Sequence, residues 1–156
     1  MIAVKMSLPD GYQQRKGSHI DQTLLIDFMC KTYQEFFPEQ KKFSHLADTV
    51  AQYFSDATPL WWIEFKKKPI GCLWMGSGVD QVTGQKYGHI FLVYISPEHR
   101  RQGLATVLLK QAEMWAKSQG NFQLGLQVFL DNQPAINLYQ NFGFQSQSLL
   151  MVKPLG

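Results

Sequence analysis

A strand that runs through a basic turn straight into an amphipathic helix constrains this chain more than any other feature. His89 to Ile95 is an unbroken apolar, β-rich run. After the turn from Ser96 to Gly103, the residues Leu104, Val107, Leu108, Ala112 and Trp115 recur at helical spacing until Gly120 ends the stretch. A buried strand joined to a helix with one apolar face calls for a sheet with helices layered on it. With 156 residues, 45% of them hydrophobic, the chain has apolar material for one domain spanning residues 1–156 and little room for a second independent core.

The remaining segments fit that architecture. Tyr12 to Arg15 reads as a weak first strand. From Ile20, the positions Leu24, Leu25, Phe28, Met29 and Phe36 mark a helix that Ser18 or Asp21 caps and Pro38 closes. A shorter helix is expected from Ser44 to Phe54. Leu60 to Phe65 and Ile70 to Met75 read as antiparallel strands around a solvated turn at Lys66–Pro69, and Gly76 to Lys86 as a hairpin loop with its tip near Thr83 and Gly84. Leu124 to Phe129 is expected as a further buried strand, Asp131 or Asn132 as the cap of a helix carrying Ala135, Leu138 and Tyr139, and Phe144 to Val152 as the last strand. This order predicts a mixed α/β sheet with helices on its faces.

Composition excludes several classes. Fifteen Lys and Arg against twelve Asp and Glu leave a net charge of +3, too small to dictate a nucleic-acid or membrane partner. Base-stacking aromatics are not interleaved with the basic segment, which argues against a nucleic-acid binder. Cys30 and Cys72 lack metal-ligand spacing and read as reduced, mostly buried thiols, so no metal is expected. Pro9, Asp10 and Gly11 interrupt the apolar start before a signal-peptide core develops, and no apolar run reaches the roughly 20 residues that span a bilayer. The expected location is the cytoplasm, with no membrane partner.

The chemistry concentrates in Tyr94-Ile-Ser-Pro-Glu-His-Arg-Arg-Gln-Gly-Leu-Ala105. The first turn of a helix offers unpaired N–H groups and the positive end of its dipole, so the backbone of Arg101, Gln102, Gly103, Leu104, Ala105 and Thr106 can wrap a phosphate. Gly103 permits close approach, and Arg100 and Arg101 add positive charge suited to a diphosphate. The plain alternative is a solvated, arginine-rich helix start.

Arg100-Arg-Gln-Gly103-Leu-Ala105 resembles the acetyl-CoA pyrophosphate loop of the GNAT acetyltransferase superfamily: Gln or Arg, two residues, Gly, one residue, then Gly or Ala. Asn132, Ala135, Leu138, Tyr139, Gly143 and Phe144 are similar in order and spacing to a second segment of that family. The resemblance is strong from His89 to Phe144, looser from Pro59 to Gly88, and weak before that. It implies a mostly antiparallel mixed sheet, splayed at a central V-shaped cleft, with helices on both faces. It also implies acetyl-CoA as co-substrate, an amine acceptor, and the family's habit of homodimerisation.

By the same resemblance, the backbone of Val93, Tyr94 and Ile95 borders the pantetheine arm, with Val93 and Ile95 binding it, and an amide at the splay polarises the thioester carbonyl. Asn132 and Tyr139 join the coenzyme site, and Tyr139 matches the family's tyrosine acid. His89 occupies a strand position where histone-acetylating relatives carry a glutamate, and a neutral imidazole there can take a proton directly or through water. Each has a bland counterpart, Tyr139 as a packed ring and His89 as a hydrogen-bonded strand end. Gln127 stands where relatives acetylating protein N-termini often carry a glutamate, and an amide is no base.

Glu64 and Tyr94 are further polar groups on strands, and His99 is expected to face solvent. The aromatic N-terminal half, with Phe36, Phe37, Phe43, Tyr53, Trp61, Trp62 and Trp74, is read first as core and second as an acceptor pocket. The expected activity is acetyl transfer from acetyl-CoA to a primary amine, on a small molecule or a protein, and the alternative is a non-catalytic acyl-CoA sensor.

Overall fold

The computed structural model describes residues 7–156. The chain divides into two compact units, the first ending at Leu126 and the second running from Gln127 to Gly156. In the first unit β1 (Tyr12–Lys16) leads through a 3-10 turn, His19–Asp21, into α1 (Gln22–Phe36), followed by α2 (His45–Tyr53). Then come β2 (Leu60–Phe65), β3 (Lys68–Val79), β4 (Lys86–Ile95), a second 3-10 turn at Pro97–His99, α3 (Leu104–Ser118) and β5 (Leu124–Gly125). The sheet order follows the chain, β1-β2-β3-β4-β5, with antiparallel neighbours except for the parallel pair β4 and β5.

The two faces of the sheet carry different layers. Leu25, Phe28 and Met29 of α1 and Leu46 and Val50 of α2 pack with Trp62, Cys72, Trp74, Leu92 and Tyr94. On the other face α3 buries Leu104, Leu108, Leu109, Ala112 and Ala116. Gly88 lets α3 come close, since a Cβ there would stand 3.0 Å from the Ala116 Cβ. Trp62 belongs to the α1 cluster while Trp61, also buried, lies outside it, as alternation along β2 requires. Trp62 and Trp74 are fully buried, and truncating either to alanine would cost about 3–5 kcal/mol. Phe43 is core as well, whereas Phe37 and Tyr53 remain exposed.

Several expectations change. The Lys66–Pro69 turn contracts to Lys66 and Lys67, both with positive φ, and the hairpin loop shortens because β3 runs to Val79 and β4 starts at Lys86. The strand expected at Leu124–Phe129 pairs only at Leu124 and Gly125, and Phe129 is half exposed. Apolar periodicity marks what a segment can bury, but a strand also needs a neighbour, and β4 offers one to only two residues here.

In the second unit α4 (Gln133–Phe142) is capped by Asn132, not Asp131: its side-chain oxygen accepts the Ala135 N–H at 3.3 Å. Gly143, at φ +116, ends the helix. No strand forms from Phe144 to Val152, and Leu149, Leu150, Met151 and Val152 are largely exposed. Those residues have the composition of a strand without a ladder to join.

Both cysteines are free, with Cys72 fully buried and its thiol pushed up by desolvation. Among the described residues no three His, Cys, Asp or Glu side chains cluster to hold a metal, and no helix is long and apolar enough to cross a membrane.

Candidate active site

The backbone of β4 changes allegiance partway along. Gly88 N–H donates to Gln123 O, on the β5 side, at 2.8 Å; Ser96 N–H, eight residues on, donates to Ile70 O, on the β3 side, at 2.7 Å. In a regular strand these two residues would point the same way. The register explains the reversal: Met75 pairs with Ile90 and Trp74 with Leu92, so Phe91 is one extra residue, a β-bulge. Side chains agree, since before the bulge His89 and Phe91 face the α1–α2 layer and after it Leu92 and Tyr94 do.

Beyond the bulge the main-chain groups of Val93 and Ile95 therefore face away from β3. β5 has already stopped pairing at Gly125, so no strand meets that edge among the described residues. The Ile95 carbonyl accepts Arg100 Nε at 2.7 Å, which leaves the Ile95 N–H and both groups of Val93 without a ladder partner. Tyr94 differs: its main chain faces β3, and its ring is buried against Phe28, with the Arg100 guanidinium 5.5 Å from the ring centroid.

A few residues on, α3 begins uncapped. Gly103 sits at φ +78, and no side chain caps the helix. The first amide to find a partner is Val107, bonded to Gly103 O at 3.2 Å; those from Arg101 to Thr106 have none among the described residues. A Cβ on Gly103 would meet nothing within 4 Å, so the turn opens onto free space. Arg101 is exposed, also left-handed at φ +64, and unpaired among the described residues. Arg100 is committed instead to Glu35, at 2.8 and 3.1 Å. Leu104 anchors the first helical turn in the core, while Ala105 and Thr106 are half-buried.

His89 is half-buried between two rings, edge-on to Tyr87 at 5.9 Å and to Phe91 at 5.0 Å, and its ring makes no hydrogen bond among the described residues. Desolvation lowers its pKa, which favours the neutral imidazole at neutral pH. Glu64 is engaged by Arg15 at 3.1 Å and is not a free base. His99, expected in solvent, is half-buried, with Nδ1 2.6 Å from the Tyr12 hydroxyl. Sequence reading missed that contact because Tyr12 lies 87 residues away.

In the second unit Tyr139 lies on α4 with its ring 5.8 Å from Phe144. Its hydroxyl has no hydrogen-bond partner among the described residues, and desolvation pushes the phenol up to about 12. Asn132 spends its side-chain oxygen on the cap. Gln127 is exposed.

A bulged strand with outward amides, feeding an uncapped helix start on an open mixed sheet, defines a mixed α/β domain whose turn presents unpaired main-chain donors. The chain belongs to the acetyltransferase (GNAT) family, whose profile matches residues 26–144. It is 31% identical over 101 residues to N-acetyltransferase 8 of Rattus norvegicus, a match covering 64% of this chain and 46% of that one. The chain spans about half the length of such curated relatives.

Among solved structures it is similar in fold to ribosomal-protein-alanine N-acetyltransferase from Brucella melitensis, with TM-score 0.72, 15% identity, and 93% and 99% of the two chains covered. It is also similar to aminoglycoside N-acetyltransferase AAC(6')-Iy in complex with CoA, with TM-score 0.70, 13% identity, and coverage of 92% and 99%.

Proposed function

We propose that this chain is an N-acetyltransferase that uses acetyl-CoA as co-substrate and a primary amine as acceptor, with residues 1–156 acting as one catalytic domain. The observation that carries the reading is the pair of vacant donor sets separated by one short turn: the outward main chain of Val93 and Ile95, and the amides from Arg101 to Thr106. The family match, which runs across both units, and the CoA complex of a neighbour of the same fold support it.

The donor sets fit the coenzyme. Amides at a helix start suit a diphosphate, with Arg101, unpaired among the described residues, adding positive charge, and outward strand groups suit the amide-bearing pantetheine arm. Acetyl-CoA supplies the thioester carbon that an amine attacks. In this reading an amide at the β4 edge faces the acyl oxygen, where a fixed dipole meets developing charge without reorganising. His89, kept neutral by burial, takes a proton from the amine directly or through a water. Tyr139 holds a proton for the leaving sulfur. A phenol near 12 is a weaker acid than an ordinary thiol at about 8.5, so Tyr139 serves better as a hydrogen-bond donor than by complete transfer.

Calorimetric titration with acetyl-CoA, followed by an amine panel read by thiol release, tests the reading. Binding with turnover is expected, and Gly103→Glu should abolish binding by placing a side chain and a negative charge in the open turn. Binding without turnover on any amine would favour an acyl-CoA sensor. No binding at all would end the proposal.

A further inference from the structure

The turn that presents the free amides is itself held from elsewhere in the first unit. Tyr12, at the start of β1, places its hydroxyl 2.6 Å from His99 Nδ1, and Gln102 Nε2 reaches the same oxygen at 3.1 Å. The Tyr12 ring lies 4.7 Å from Phe65 and meets His99 edge-on at 5.6 Å; Phe65 in turn lies 5.2 Å from His99. On the other flank Arg100 is tied to Glu35 and to the Ile95 carbonyl. His99, Arg100 and Gln102 are thus each anchored, while the left-handed residues, Arg101 and Gly103, fall between and just after them.

The chemistry of Gln102 gives its bond a direction. An amide nitrogen only donates, so Gln102 gives its proton to the Tyr12 oxygen. The Tyr12 hydroxyl keeps its own proton and a second lone pair, so it bonds His99 Nδ1 in either tautomer of the ring and joins the three groups in both cases. The relay from Gln102 through Tyr12 to His99 spans the turn from its start to the residue before Gly103.

We propose that Tyr12 is a positioning residue for coenzyme binding: through His99 and Gln102 it holds the turn before α3 in the shape whose amides receive the diphosphate. The inference rests on the reading that acetyl-CoA binds at this turn. A segment with two left-handed residues and no ladder of its own would otherwise have to be ordered by its ligand, at the expense of affinity. With the relay in place the ordering is done when the protein folds.

Tyr12→Phe tests it, because the ring still packs on Phe65 and β1 keeps its ladder while the hydroxyl alone is lost. Calorimetry should show acetyl-CoA bound up to about tenfold more weakly, the consequence of losing a partly exposed hydrogen-bond relay. KM for acetyl-CoA should rise by a similar factor, with kcat at saturating coenzyme and KM for the amine unchanged and Tm lowered by no more than a few degrees. S-acetylpantetheine, which lacks the diphosphate, should bind the variant as it binds the wild type. His99→Ala should behave like Tyr12→Phe, and His99→Asn, whose Oδ1 stands near the place of Nδ1, should recover most of the affinity.

Wild-type affinity in both Tyr12→Phe and His99→Ala would overturn the proposal, as would equal weakening toward S-acetylpantetheine. Gly103→Glu, run alongside, separates the two levels. If it binds acetyl-CoA normally, the coenzyme does not use this turn and the underlying reading fails; if it alone loses binding, only the role of Tyr12 is wrong.

Discussion

Arg100 Nη2 stands 2.8 Å from Glu35 Oε1, so the first arginine of the turn before α3 is matched by a carboxylate at the end of α1. That pairing tempers the charge an anionic ligand meets. Arg100 stays tethered to the Ile95 carbonyl if the carboxylate is removed, so Glu35→Gln frees positive charge without freeing the side chain. Acetyl-CoA should bind Glu35→Gln two- to fivefold more tightly at low ionic strength, by about 0.5–1 kcal/mol, with the gain fading as salt rises. Calorimetry at two salt concentrations checks it. The pair is partly exposed, so unfolding free energy should change by less than about 1 kcal/mol.

Lys66 and Lys67 form the two-residue connection between β2 and β3 at φ 49 and 69. Left-handed backbone costs a lysine roughly 1 kcal/mol, and Asn-Gly is the pair such a hairpin favours. Replacing Lys66 with Asn and Lys67 with Gly should raise stability by about 0.5–1.5 kcal/mol, the entropy of the unfolded glycine offsetting part of the gain. Thermal denaturation should show this as a rise of a few degrees.

His89 links stability to pH, and as the proposed base it would link activity to pH with the same sign. Its folded pKa is depressed by burial, so the unfolded chain takes up a proton first on acidification. Its contribution to stability should be complete above about pH 6.5 and decline as pH falls from there toward the depressed folded value. If His89 is the base, kcat/KM rises with pH through that depressed value, and His89→Gln loses this limb of the profile. An unchanged limb in His89→Gln assigns the base to water or to another group.

Tyr139→Phe keeps the ring contact with Phe144 and removes only the hydroxyl. Turnover should fall about 10²-fold with acetyl-CoA affinity unchanged. Steady-state kinetics beside calorimetry distinguishes this from a packing role, in which stability would fall and turnover would not.

Much of the fold could be read before any coordinates. Leu60 to Phe65 carries its strand limits in its composition, and α3 declares itself by apolar spacing and a terminal glycine. Those signals are local. The turn amides were legible for the same reason, since an uncapped helix start behind Gly103 is visible in a dozen residues.

What escaped depends on partners distant in sequence. Leu124 to Phe129 looks like a full strand because nothing in it tells how far β4 will stay alongside. His99 looks solvent-facing until Tyr12 is brought to it by the β1–β2 ladder. The bulge at Phe91 is hidden within a uniformly apolar run, where no polar residue breaks the alternation to betray an extra position.

That bulge has a genetic corollary. Which amides β4 turns outward is set by the number of residues in the strand, not by their identity, so side chains there can drift so long as the length is kept. Phe91 is the exception, because excising it removes the extra residue, leaves Ile90 and Leu92 on their present partners and keeps Val93 and Ile95 outward; losing two codons in this stretch would set the two halves of the strand out of phase and should do more harm than most substitutions within it.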